Sequence, residues 1–219
     1  MPTLKLYRPH WSAYTRTVRL VLSEKALDYK LVEVDFSSGR MSEEHLDRHP
    51  FSKVPVLDHL GFVIYETSAI CRYIDTAFDD FPLQPVSPHE IGRMSQIIAL
   101  LDTYLSNEIR MGYVNEAIIK PMIGLESGLD RISVAQLAIA KGFSALADCC
   151  ETETEFLVGN RLSLADYHAA PLFDFLNKTA DGSRLIDAEP ILRHWWNAIS
   201  SRASIQSTSI DLSVFKIQS

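Results

Sequence analysis

The chain has 219 residues, of which 47% are hydrophobic and 22% charged, with a formal net charge of −7. This length buries a core unaided, and the composition is that of a globular protein, which excludes collagenous, disordered and disulfide-framed classes. The acidic balance and lack of any Lys/Arg run exclude nucleic acid as main partner, because polyanions are held by clustered basic side chains that release counterions.

No apolar stretch reaches the roughly 18 residues of a membrane span, and "MPTLKLYRPHWS" has no signal-peptide core. A cytoplasmic location with no membrane partner is therefore expected. Three cysteines, Cys71, Cys149 and Cys150, form neither a CxxC nor a metal-ligand spacing, so structural thiols and no metal are expected.

In chain order, "TLKLY" predicts a short strand and "YTRTVRLVLSEKAL" a helix with Val18, Val21, Leu22 and Lys25 on one face. "YKLVEVDF" alternates as a half-buried strand does, and Ser42 to Arg48 is a polar helix candidate. "HPFSKVPVLDHLGFVIYETSAICRYIDTAF" predicts strand, turn, strand, helix, with Asp58 and Gly61 suiting a tight hairpin. The order β-α-β-α-β-β-α implies a small mixed sheet with helices against it, over residues 1–79.

Pro82, Pro85 and Pro88 punctuate a linker over residues 80–88, and from 89 to 219 the pattern is helical. Ile91 to Val114 and Ile132 to Cys150 carry apolar residues at three-and-four spacing, with Pro121 and nearby glycines breaking the run between them. Ser163 caps a helix in a capping box with Asp166, with Leu162 and Tyr167 as a hydrophobic staple, and "EPILRHWWNAISSRAS" is a last amphipathic helix. The fold class is α+β, an N-terminal mixed domain followed by an all-α bundle.

Three pieces of the first domain bear on chemistry. A cis Val54-Pro55 bond would turn the Val54 backbone outward, open to an extended peptide that pairs like an added strand; a plain turn proline is the competing reading. In "YETSAI" a strand gives way to a helix, so Thr67, Ser68 and the free N–H groups of the first turn suit a carboxylate, while Glu66 suits an ammonium; a simple N-cap is the alternative. Ser12 precedes another helix N-terminus. A thiol has a pKa near 8.5, and lowering it by about two units takes about 2.7 kcal/mol. A hydroxyl donor plus a helix dipole supplies much of that.

The elements "LYRPHWSAYTRTVRLVLSEKALDYKLVEVD", "HPFSKVPVLDHLGFVIYETSAICRYI" and "FLVGNRLSLADYHAAPLF", in this order and spacing, resemble the cytosolic glutathione S-transferase family over the whole chain. The resemblance is to its serine-type members, theta-, phi- or zeta-like and of bacterial type. It implies a thioredoxin-like first domain, a cis Val54-Pro55 bond, glutathione as co-substrate with no resident cofactor, a pocket for a hydrophobic electrophile shared with the second domain, and a homodimer. Ser12 falls where the family places the serine that meets the glutathione sulfur. Glu66 and Thr67, with Ser68, fall on the groups holding the γ-glutamyl end, Val54 on the residue pairing with the cysteinyl unit, and Lys53 and Arg40 near the glycine carboxylate.

Trp11 stands where cysteine-type members have their cysteine, so protein-thiol exchange is not expected. Tyr7 stands near the tyrosine of tyrosine-type classes and is second to Ser12. His10, Trp11, Tyr104, Met111, Tyr113 and Val114 are candidates for the electrophile pocket, with core or interface packing the alternative for each, and Phe51 falls at an interface key of some classes. A non-catalytic binding or regulatory protein on the same fold is the rival reading. Lyase, dehalogenase or peroxidase chemistry on the same glutathione site is a third.

Overall fold

The computed structural model describes residues 3–9, 11–35, 41–151 and 154–212. Two compact units divide the chain, Met1–Gln84 and Pro85–Ser219, and the division falls inside the proline-punctuated stretch.

In the first unit the order is β1 (Leu4–Arg8), α1 (Ala13–Glu24), β2 (Tyr29–Glu33), α2 (Glu43–Arg48), β3 (Val56–His59), β4 (Phe62–Tyr65) and α3 (Thr67–Ala77). The sheet runs β2-β1-β3-β4, with β2 parallel to β1 and the other two pairs antiparallel. The parallel pair needs a crossover, which α1 supplies. Asp58 accepts the Gly61 N–H at 2.8 Å, and Leu60 and Gly61 both have positive φ (54° and 93°), as a primed hairpin turn demands.

Helix α1 packs against α3, and Val18, Val21 and Leu22 of α1, Ile70, Cys71 and Ile74 of α3, and Leu6 and Leu57 of the sheet are all fully buried. Lys25, on the same stripe of α1, is buried as well; its ammonium lies 2.8 Å from Asp75 and donates to the carbonyls of Phe78 and Asp80.

In the second unit α4 (Pro88–Leu100) runs on into two segments of wider, π-type winding, Leu101–Leu105 and Glu108–Ile119, and a last turn α5 (Lys120–Met122). The predicted break before Pro121 falls at the end of one continuous helical run. Proline brings no N–H and cannot continue the backbone ladder, and the run ends one residue later, at Met122. Then follow α6 (Leu129–Ala147), α7 (Leu164–Leu176), α8 (Ala180–Asp187), α9 (Pro190–Ser200) and α10 (Ala203–Ser207).

Helix α7 is apolar almost all round and buried along nearly its whole length, as a central helix must be. Phe143 stacks on Phe173 at 4.7 Å, and Trp195 meets Phe173 edge-on at 4.8 Å. The capping box is present, and Asp166 accepts four bonds: from the Ser163 N–H and hydroxyl, the Leu157 N–H and the Trp195 indole N–H. Burial pushes the Asp166 carboxyl above its ordinary value against the pull of those donors. Among the described residues no helix is long and apolar enough to cross a membrane.

Candidate functional site

The strand registers bring the three chemical pieces of the first unit to one end of its sheet. Tyr7 pairs with Val56, and Val56 with Tyr65, so these residues form one row across β1, β3 and β4. Just past that row, β1 leads to Ser12, Val54-Pro55 leads into β3, and β4 runs into Glu66. Neighbouring strands lie about 4.8 Å apart, so segments distant in sequence share one edge.

Ser12 is the N-cap of α1, in extended backbone geometry, and its Oγ accepts the Thr15 N–H at 3.2 Å. The side chain is buried, at 7% exposure. A hydroxyl oxygen that accepts one bond still carries its own proton as a donor. Thr15 and Thr17 are packed into the unit, and Thr17 returns its hydroxyl to the Ala13 carbonyl at 3.3 Å.

The Val54-Pro55 bond is cis. Val54 is half-buried and Lys53 exposed. The Lys53 carbonyl accepts a bond from Nε2 of His45 at 2.9 Å, and the His45 N–H is itself capped by Ser42 Oγ at 3.2 Å. His49, one turn further along, packs its ring against Tyr65 at a tilt of 33°, with centroids 4.5 Å apart. Burial pushes the His49 imidazole below its ordinary pKa, the Glu66 carboxylate pulls it back up, and His45 and Lys53 push it further down.

Glu66 is exposed and holds φ at +72°, a region an L-residue rarely adopts. Such strain costs about 1–3 kcal/mol and gathers at functional sites. Thr67 is buried and Ser68 half-buried in the first turn of α3, whose N-cap residue Glu66 makes no side-chain cap bond, and the first turn of a helix lies at its positive end.

Tyr7 lies under Arg48, whose guanidinium carbon is 4.5 Å from the ring centre. Its ring is thus covered from α2. His10 and Arg40 lie outside the described residues, and Trp11 is half-buried. Tyr104 and Met111 are exposed, at 70% and 50%. Tyr113 and Val114 are 1% and 2% exposed, which favours the core-packing alternative for both. The Tyr113 hydroxyl is bound to Thr179 at 2.7 Å inside the helical unit, which is how a buried tyrosine satisfies its polar end.

Cys71, Cys149 and Cys150 are free thiols, and burial pushes Cys150 up to about 12, which keeps it protonated and unreactive at neutral pH. Among the described residues no group of three or more His, Cys, Asp or Glu side chains is placed to hold a metal ion. The sequence reading passed over His45 and His49. Their spacing of four on a polar helix was the available signal, since it puts both on one face.

Residues 11–77 match the family model "Glutathione S-transferase, N-terminal domain" and residues 132–203 the model "Glutathione S-transferase, C-terminal domain". Over 205 residues, 91% of this chain and 94% of the relative, the chain is 32% identical to glutathione S-transferase hmp2 of Hypomyces subiculosus. The chain belongs to the glutathione S-transferase family. It is also 28% identical over 211 residues to glutathione S-transferase F12 of Arabidopsis thaliana, covering 92% of this chain and 94% of that one. A solved structure of glutathione S-transferase I bound with lactoylglutathione superposes with a TM-score of 0.81 at 25% identity, covering 98% of this chain and all of that one. The thioredoxin-like domain followed by a helical one is thus the glutathione S-transferase arrangement.

Proposed function

We propose that this member of the family is a serine-type glutathione transferase that conjugates glutathione to a hydrophobic electrophile. The observation that carries the reading is Ser12, a buried hydroxyl whose oxygen is held by the Thr15 N–H at the head of α1. In this reading the bound thiol loses its proton to solvent, and the Ser12 hydroxyl donates a charge-assisted hydrogen bond to the thiolate. The dipole of α1 adds to that stabilisation. The sulfur lone pair forms a C–S bond at the electrophilic carbon while the bond to the leaving group breaks, and the leaving group departs with the electron pair. Ser12 stays a donor throughout and is never acylated or alkylated.

The rest of the molecule of glutathione is assigned from the family resemblance, with which the charges of the residues agree. Glu66 takes the γ-glutamyl ammonium, and Thr67, Ser68 and the open N–H groups of α3 take its carboxylate. The Val54 backbone, preceding Pro55, pairs with the cysteinyl unit, and Lys53 with Arg40 meets the glycine carboxylate. Met111 and Tyr104 are the exposed candidates for the electrophile. The chain acts in the cytoplasm as a homodimer, a reading supported by the exposure of Phe51 and of Phe62 on the edge strand β4. The similar protein solved with lactoylglutathione supports glutathione as the co-substrate.

Calorimetric titration with glutathione, followed by turnover assays with aryl halides, unsaturated carbonyls, isothiocyanates and organic hydroperoxides, tests the reading. Saturable binding and conjugate formation are expected. No heat and no thermal stabilisation at millimolar glutathione would reject it in favour of a non-catalytic module.

A further inference from the structure

We propose that His45 is a positioning residue for glutathione, acting through the peptide that joins Lys53 to Val54; this rests on the assignment of the Val54 backbone to the cysteinyl unit. A carbonyl only accepts, so the 2.9 Å contact between His45 Nε2 and the Lys53 oxygen is an N–H donated by the imidazole. The Lys53 carbonyl and the Val54 N–H belong to one planar trans peptide and point in opposite directions. Holding the oxygen therefore aims the N–H, and that N–H is the group assigned to the ligand.

The hold is itself rigid. His45 is 3% exposed, in the first turn of α2, and its backbone N–H is fixed by Ser42 Oγ. Among the described residues its Nδ1 has no hydrogen-bond partner, so the ring's polar anchorage is the bond to Lys53. Without it the peptide plane has freedom to rotate, and ordering it again falls to the ligand. The effect belongs to binding and leaves the chemical step alone, because Ser12 is on a different element.

The test pairs His45→Gln, which keeps an N–H donor, with His45→Phe, which keeps a ring and loses the donor. The sequence contains a single Lys-Val pair, Lys53-Val54, so labelling lysine with 13C at the carbonyl and valine with 15N gives one nuclear magnetic resonance correlation for this peptide. In the ligand-free protein the correlation is expected to stay near its wild-type position in His45→Gln and to move in His45→Phe. Loss of one such bond corresponds to about a tenfold weaker glutathione affinity in His45→Phe. It should appear as a raised KM with kcat within about twofold, and His45→Gln should recover most of it.

An unmoved correlation, an unchanged affinity in folded His45→Phe, or equal losses in both variants would overturn the proposal. If His45→Phe does not fold, the ring of the unaltered protein decides: an Nε2–H tautomer slow to exchange supports the hold, and an Nδ1–H tautomer refutes it. Wild-type protein that binds no glutathione rejects the functional assignment instead, and the peptide correlation still decides whether His45 holds Lys53.

Discussion

The Lys25 ammonium lies 2.8 Å from the Asp75 carboxylate, with both side chains almost wholly buried. Asp75 also accepts the N–H groups of Leu83 at 2.8 Å and Gln84 at 3.0 Å, so the pair ties α1 and α3 to the segment that ends the first unit. Removing one partner strands the other charge in the interior. Lys25→Met is expected to lower the unfolding free energy by about 3–5 kcal/mol. Urea denaturation checks this, and a loss below about 1 kcal/mol would match a surface pair instead.

His49 makes stability fall in mild acid. Burial lowers its pKa in the folded protein, so as pH drops the unfolded chain binds the proton first. The His49 contribution is complete above the ordinary value of about 6.5 and is lost as pH falls from there toward the lowered folded value. The neighbouring charges are Glu66, which opposes the shift, and Lys53 and His45, which add to it. The unfolding midpoint should decline between pH 7.5 and 5.5 in wild type and decline less in His49→Phe; equal slopes would show that His49 does not titrate in folding.

Two glycines of the helical unit should respond differently to alanine. A Cβ at Gly112 would lie 2.8 Å from the Cβ of Ala135 and 2.9 Å from Arg131 Nη2, and Ala135 has no side chain to swing away. Overpacking costs about 1–3 kcal/mol, against about 1 kcal/mol returned by alanine's helix propensity. At Gly142 the nearest neighbour is the tip of Leu105, at 2.5 Å, which rotates aside more cheaply. Thermal unfolding should rank Gly112→Ala below Gly142→Ala; the reverse order would mean that α6 shifts freely.

Glu66 trades stability for a charge. Glu66→Gly removes a side chain from a backbone at φ +72° and removes the carboxylate assigned to the ligand's ammonium. Unfolding free energy is expected to hold or rise while glutathione affinity falls about tenfold or more, the scale of a charged hydrogen bond. Chemical denaturation and calorimetry on one sample separate the two, and an unchanged affinity would remove Glu66 from the site.

The legible parts of the sequence were those written in local periodicity. The β-α-β-α-β-β-α order, the Asp58–Gly61 hairpin and the Ser163 capping box depend on neighbours within a few residues, and all are present. The stripe Val18, Val21, Leu22 and Lys25 was legible too, but the buried partner of Lys25 was not, because Asp75 lies fifty residues away and pairing across a core leaves no local mark. Tyr113 was ambiguous for the same reason: an aromatic on an amphipathic run looks alike whether it faces a ligand or Thr179. The π-type winding after Leu100 was invisible because apolar spacing of three and four suits both windings over short stretches. At the site, Ser12, Val54-Pro55 and Glu66 were readable as helix and strand ends. His45 was missed because its contact is with the backbone carbonyl of Lys53, which no side-chain pattern marks.

Ser12 as thiolate donor is the central claim. The direct measurement is the pH titration of the ultraviolet thiolate band of bound glutathione in wild type and in Ser12→Ala. The account predicts that wild type lowers the thiol pKa by about two units from 8.5 and that Ser12→Ala returns most of that shift, with turnover falling in parallel and glutathione still bound. An unchanged thiolate band and unchanged turnover in Ser12→Ala would contradict it.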